Sequence, residues 1–139
     1  MTPEGMTVRK SRRGPQQTAD RFAAVAGDEG MTLLARIDHA SAAAEAGLEL
    51  RPTEVLILGN PRADTPLMKV AQTIGIDLPL RVLVWQDEEG QTWLGYNDPR
   101  WLARRHVADA GADRILAAMT EALATITERA TADPARNAP

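Results

Sequence analysis

A carboxylate and an imidazole stand side by side at Asp38 and His39, and this pair is the first candidate for proton chemistry in the chain. An imidazole exchanges protons near neutral pH, so His39 could act as a general acid or base with Asp38 as an orienting carboxylate. The simpler alternative is that Asp38 caps a helix and His39 is the first helical residue. Adjacent side chains usually point apart, and we favour this alternative.

A second candidate lies where an apolar run stops at Gly59-Asn60-Pro61 and a helix signal follows at Thr65-Pro66. A loop that enters a helix presents free N–H groups, which suit an anion, and Asn60 and Thr65 could then bind a ligand. The alternative, which we favour, is that both side chains complete their own turn and helix cap. The chain has neither of the glycine patterns typical of phosphate-binding loops.

Two further polar residues, Asp77 and Tyr96, also stand at predicted strand ends. If those ends meet, Asp77 would offer a carboxylate and Tyr96 a phenol to a pocket shared with His39 and Asn60. Such a polar cluster above an apolar floor is what small-molecule sites usually require. The alternative is that Asp77 serves its turn and Tyr96 packs in the core. The apolar floor would come from strand residues Val55, Ile57, Val82 and Val84.

The composition excludes several classes of chemistry. The chain has no cysteine, which removes disulfides and thiolate sites, and two histidines make a histidine-rich metal site an unfavourable prediction. The net charge is −3, and the basic cluster at residues 9–13 is too small for a nucleic-acid surface. No apolar stretch has the length of a signal peptide or a membrane span. We therefore expect a cytoplasmic protein with no cofactor, no metal and no membrane or nucleic-acid partner.

The elements that must position these residues centre on the stretch 54–85, which predicts a strand, a turn, a short helix and a second strand. The short helix is predicted to start at Thr65-Pro66 and to stop at Gly75. A hairpin follows, because the strands 80–86 and 91–96 flank a four-residue loop that ends in glycine.

The remaining elements complete a mixed pattern. Thr18 is predicted to cap a first helix, and strict alternation predicts a strand over residues 31–37. The remaining predictions are a strand at 7–11 and helices at 16–26, 40–46, 100–106 and 112–130, the last with the apolar stripe Leu116, Met119, Leu123 and Ile126. Because helices alternate with strands around an antiparallel hairpin, we expect an α+β fold with helices packed on one face of the sheet. The domain should span 7–130, with flexible ends at 1–6 and 131–139.

Several short motifs together resemble the domain of unknown function 302 family. They stand at residues 35–40 (ARIDHA), 55–61 (VLILGNP), 65–68 (TPLM), 77–80 (DLPL) and 95–97 (GYN). The resemblance covers about residues 7–102 and implies a TATA-binding-protein-like fold, with a curved antiparallel sheet, found as a homodimer. The family usually has glycine where this chain has Asp64; if the backbone there had positive φ, aspartate would adopt it at some cost.

These observations predict a cytosolic homodimer that binds a small molecule. Three tryptophans in a chain with one phenylalanine and one tyrosine also suit a core or a dimer interface. Two alternatives stay open: a cofactor-independent enzyme (an isomerase, lyase or hydrolase) that uses His39, and a purely structural interaction module.

Overall fold

A computed structural model describes residues 2–134 of the chain. Five antiparallel strands form one sheet in the order β1-β5-β4-β3-β2, which confirms the predicted α+β class. The strands are β1 (Met6–Ser11), β2 (Thr32–Asp38), β3 (Thr53–Gly59), β4 (Leu80–Gln86) and β5 (Thr92–Asn97). The helices are α1 (Pro15–Asp28), α2 (His39–Glu45), α3 (Pro61–Val70), α4 (Pro99–Arg105) and α5 (Asp113–Thr131). Short 3-10 helices span Gln72–Ile76 and Asp109–Gly111.

The core lies between one face of the sheet and helices α1 and α5. Alternate residues of the central strands point to this side, and the predicted stripe of α5 packs onto them. All of the following are buried: Phe22 of α1, Leu56 and Leu58 of β3, Val82 and Val84 of β4, Leu94 of β5, and Leu116, Met119, Leu123 and Ile126 of α5. The apolar stripe is therefore the surface by which α5 covers the sheet.

The opposite face of the sheet is also apolar but stays partly exposed. In the register, Val55 pairs with Leu83, and Trp85 pairs with Trp93, so these side chains form rows across the strands. Gly95 makes room for this layer, because a Cβ there would lie 3.2 Å from the ring of Trp85. The residues of this surface, here called the open face, are Val8, Ile37, Val55, Ile57, Leu83, Trp85 and Trp93.

The predicted Thr18 cap of α1 and the predicted start of α3 are wrong. Helix α1 begins at Pro15, and Thr18 is buried inside it, where its hydroxyl lies 2.6 Å from Ser11 Oγ and donates to the carbonyl of Gly14. Helix α3 begins at Pro61, one turn before Thr65. Proline at the first helical position has a φ that suits a helix, and it starts the helix before the second proline is reached.

The strand predicted over 31–37 is shifted by one residue, and its alternation is interrupted. A β-bulge between Leu33 and Ala35 leaves Leu34 55% exposed beside Gly59. The outer boundaries differ by one residue at each end, since β1 begins at Met6 and α5 ends at Thr131. The predicted flexible ends stay predictions, and residues 1 and 135–139 lie outside the described part of the chain.

Candidate functional site

The predicted site residues do not converge at one place. Asp38 at the end of β2 pairs with Glu54 at the start of β3, whereas Asn60 follows the far end of β3. Six residue steps along a strand correspond to roughly 20 Å. The Asp38–His39 pair and Asn60 therefore lie at opposite ends of the sheet.

Asp38 serves as the cap of α2. Its Oδ1 accepts a hydrogen bond of 2.9 Å from the backbone N–H of Ser41, which is the simpler of the two interpretations drawn from the sequence. A cavity of about 380 Å³ lies beside Asp38, but His39 is exposed and is not among the residues that line it. A catalytic role for His39 stays a prediction, and this geometry lends it no support.

The same cavity is bordered by a paired carboxylate. Glu54 accepts two hydrogen bonds, of 2.8 and 2.9 Å, from the guanidinium of Arg36, which also binds Asp20 at 2.8 Å. The bonds to Glu54 are the main reason that the pKa of Arg36 is raised. Each oxygen of Glu54 already accepts one hydrogen bond from Arg36, and this paired charge makes the carboxylate a weaker attractor for a cationic ligand.

Asp77 belongs to a separate network with the end of α4. Its Oδ2 accepts a hydrogen bond of 2.7 Å from Arg105 and lies 2.5 Å from His106 Nε2. His106 Nδ1 in turn lies 2.9 Å from Thr73 Oγ1. Burial raises the pKa of Asp77, but the hydrogen bonds from His106 and Arg105 outweigh it, and the net pKa is lowered.

This network is best explained as a structural tether. The side chain of His106 is only 9% exposed, although it follows the last residue of a short surface helix. Both ring nitrogens of His106 have partners, and the neutral ring can donate to Asp77 and accept from Thr73 without a change of charge. The contacts fix the 3-10 helix before β4 to the end of α4.

Tyr96 lies on the helix side of β5 and is 7% exposed, so it packs in the core. Burial raises the pKa of its phenol, and the charge of Asp98 adds to this effect. Its position agrees with the core interpretation drawn from the sequence rather than with a pocket wall.

A cavity of about 200 Å³ opens where β3 ends and α3 begins. Its polar wall comes from Asn60 and Asp64, and helix α5 closes its far side. The residues that define this space, here called the Asn60–Asp64 cavity, include Asn60, Asp64, Glu29, Leu58, Leu80 and Met119. It thus combines a few polar groups with an apolar floor, as small-molecule sites usually do.

Asp64 is the most unusual group in this wall. It is 7% exposed, and its Oδ2 accepts a hydrogen bond of 3.2 Å from the backbone N–H of Asn60. Within residues 2–134 its Oδ1 has no protein hydrogen-bond partner, but it is not among the fully buried polar atoms that lack one, so solvent in the cavity can reach it. Burial raises the pKa of the Asp64 carboxyl, and the bond from Asn60 offsets this only in part. A partly desolvated carboxyl with an unused oxygen favours a ligand that donates a hydrogen bond.

Thr65 lines a different cavity of about 350 Å³, which shares Gly59 and Asp64 with the Asn60–Asp64 cavity. Asn60 and Thr65 therefore lie on either side of Asp64.

Asp64 was missed as a site residue, since the sequence marked it only as a departure from a glycine. It is helical within α3, so the positive φ considered there does not occur. The sequence feature that could have identified Asp64 is its position four residues after Asn60, from which its side chain can accept a hydrogen bond from the Asn60 backbone N–H.

The fold and this cavity define a class: an α+β domain whose antiparallel sheet is covered by helices on one face. Residues 6–126 match the model of the family described as "Domain of unknown function DUF302". The chain belongs to this family, which confirms the resemblance drawn from its motifs.

A solved structure supports the same fold. An uncharacterized conserved DUF302 protein from Bacillus stearothermophilus superposes with a TM-score of 0.81 and 22% identity, over 92% of this chain and 99% of that one. At this identity the likeness shows the fold alone.

Curated relatives carry a different name. "Fluoride-specific ion channel FluC 1" of Brucella suis biovar 1 (strain 1330) is 44% identical over 129 residues, which are 93% of this chain and 51% of the relative. "Fluoride-specific ion channel FluC 2" of Brucella melitensis biotype 1 matches at 44% identity over 129 residues and 48% of its length. The chain thus spans about half the length of these relatives. Among residues 2–134, no helix has the length and apolar character required to cross a bilayer.

Proposed function

We propose that this protein is a cytoplasmic homodimer that binds a compact small molecule in the Asn60–Asp64 cavity. The observation that carries the proposal is the Asp64 carboxyl, which is 7% exposed and has an unused oxygen on the wall of a 200 Å³ cavity. An oxygen that the protein leaves unpaired on the wall of a cavity can accept a hydrogen bond from a ligand in place of one from water. The apolar floor of Leu58, Leu80 and Met119 would hold the remainder of the ligand.

The dimer part of the proposal rests on the open face. Seven large apolar side chains share this face, and most soluble monomers do not expose a continuous apolar surface of this kind. Packing two copies face to face through a two-fold axis would bury Leu83, Trp85 and Trp93 from both chains. Tryptophans are enriched in such interfaces.

The proposed cavity can be tested by filling it. Ala122 of α5 lines the cavity, and Ala122→Leu would place extra atoms in the ligand volume. A ligand at about 100 times its dissociation constant stabilises a protein by about 2.7 kcal/mol. In a thermal-shift screen of compact fragments, we expect hits to raise the Tm of the wild type by roughly 5–10 °C. The same fragments should not raise the Tm of Ala122→Leu.

The matched control is Ala117→Leu, because Ala117 is exposed on the same helix and is not among the residues that line the cavity. Fragments should stabilise this variant as they stabilise the wild type. If the hits stabilise Ala122→Leu to the same extent, the ligand site lies elsewhere and the proposal is wrong.

A second candidate function is a role beside a fluoride channel. The specific observation is that relatives named fluoride-specific ion channels share 129 residues with this chain at 44% identity. This role does not require fluoride to bind the Asn60–Asp64 cavity, where the carboxyls of Asp64 and Glu29 would repel an anion. Sodium fluoride belongs in the same screen with sodium chloride as its control, and stabilisation by the fluoride salt alone would favour this second function through a site outside the Asn60–Asp64 cavity.

The two remaining alternatives have less support. An enzyme that uses His39 would need substrate next to an exposed imidazole that does not line the neighbouring cavity. A purely structural module would leave the Asp64 carboxyl without a ligand. Both alternatives predict that no fragment in the thermal-shift screen will stabilise the wild type and fail to stabilise Ala122→Leu.

A further inference from the structure

The charged side chains that line the Asn60–Asp64 cavity all have the same sign. Two carboxyl side chains, Asp64 and Glu29, are among its lining residues. Across the described part of the chain, no lysine, arginine or histidine is among those lining residues. Glu29 has a distant partner at the mouth, since Arg129 Nη1 lies 3.8 Å from its Oε1. Within residues 2–134 no lysine, arginine or histidine forms a salt bridge with Asp64, and the wall is therefore electronegative where it is most buried.

Burial makes the charge of Asp64 costly on the cavity wall. A buried carboxylate without an opposite charge is destabilised relative to its protonated form. A cation in contact with Oδ1 would supply both an opposite charge and a charge-assisted hydrogen bond. A neutral donor would supply only the bond, and an anion would supply neither.

The size and the floor of the cavity restrict the cation further. A volume of about 200 Å³ lies below the range of about 300–1,000 Å³ that is typical of drug-sized ligands. Leu58, Leu80 and Met119 offer apolar surface rather than the oxygen ligands that a hydrated metal ion requires. Within residues 2–134, no group of three or more His, Cys, Asp or Glu side chains could hold a metal ion.

From these features we infer that the ligand is a small organic cation: a primary ammonium group on a short apolar chain, paired with Asp64. The inference rests on the proposed function and names the ligand class for the same cavity. The ammonium group would donate one hydrogen bond to Asp64 Oδ1 and a second to the Asn60 side-chain oxygen, which already accepts from Arg62 N–H but has a further lone pair. The apolar chain would lie on Leu58 and Met119.

Three probes of equal length separate charge from shape: n-butylammonium, n-butanol and butyrate. Titrations followed by NMR of the backbone amides should give n-butylammonium an affinity at least about tenfold higher than that of n-butanol, because a charge-assisted hydrogen bond is the stronger one. Butyrate should bind more weakly than n-butanol. The preference for n-butylammonium should disappear in Asp64→Asn, which keeps the shape of the side chain and an oxygen for the Asn60 N–H.

Glu29→Gln is the matched control, since it removes the charge at the mouth and should leave most of the preference intact. The ranking of the three probes in the wild type decides the inference even if Asp64→Asn does not fold. If n-butanol or butyrate binds the cavity as tightly as n-butylammonium, the ammonium inference is overturned while the proposed function stands. If no probe binds, or if all three bind Ala122→Leu as they bind the wild type, the inference and the proposed site both fail.

Discussion

Leu123→Ala is expected to lower the free energy of unfolding by about 2–5 kcal/mol. Leu123 is 0% exposed and lies in the middle of the α5 stripe, between Met119 and Ile126. Removing its branched end forfeits the transfer free energy of the lost methyl groups and leaves a cavity that the surrounding core can fill only in part. Urea denaturation followed by circular dichroism, at one fixed protein concentration, measures this loss.

Leu48→Ala provides the control for the same chemical change. Leu48 is 66% exposed, so its truncation should alter the free energy of unfolding by no more than about 0.5 kcal/mol. If Leu123→Ala also costs only a few tenths, helix α5 is peripheral to the fold, which contradicts its assignment as the cover of the sheet.

Leu83→Glu is expected to weaken the homodimer by about 100-fold or more. Leu83 lies at the middle of the open face, where it pairs with Val55 on one side and Gly95 on the other. In a two-fold interface the change would bury two uncompensated carboxylates, and each unpaired buried charge costs about 3–5 kcal/mol. Sedimentation equilibrium on the order of 10 μM should detect a dimer for the wild type and a monomer for the variant.

The control for charge alone is Leu48→Glu, in the exposed loop before β3, which should remain dimeric. Circular dichroism of Leu83→Glu should retain the native spectrum, since this side chain faces away from the main core. A wild-type monomer, or a Leu83→Glu variant that still sediments as a dimer, would show that the open face is not the interface.

Local patterns predicted much of the fold. Strand β4 was predicted with the bounds Leu80–Gln86 that it has in the structure, because an apolar run between a proline turn and an acidic turn has few alternatives. The α5 stripe was equally clear, since the spacing of its four apolar residues matches a helix over about three turns. Thr65-Pro66 misled the prediction of α3, because an earlier proline with its own Asn60 cap already satisfied the rules for a helix start.

The site was less predictable because it depends on register and on long-range packing. The sequence shows that Asp38 and Asn60 both border strands, but only the pairing of β2 with β3 reveals that they lie at opposite ends. The contact between Asp77 and His106 joins residues 29 positions apart and has no local signal. Asp64 lines a cavity whose far side is formed by α5, and this packing of segments distant in the sequence has no local signal.

The methyl groups of four methionines provide the most direct test of the proposed site. Met31 and Met119 line the Asn60–Asp64 cavity, Met68 lines the cavity beside Thr65, and Met6 lies in a groove next to Trp85. NMR of protein labelled at the methionine methyl groups therefore reports which region a ligand enters. Titrated with pools of compact fragments, the signals of Met31 and Met119 should shift together with one dissociation constant, and Met6 should stay unchanged. Shifts confined to Met6 or Met68, or no shift with any pool, would contradict ligand binding in the Asn60–Asp64 cavity.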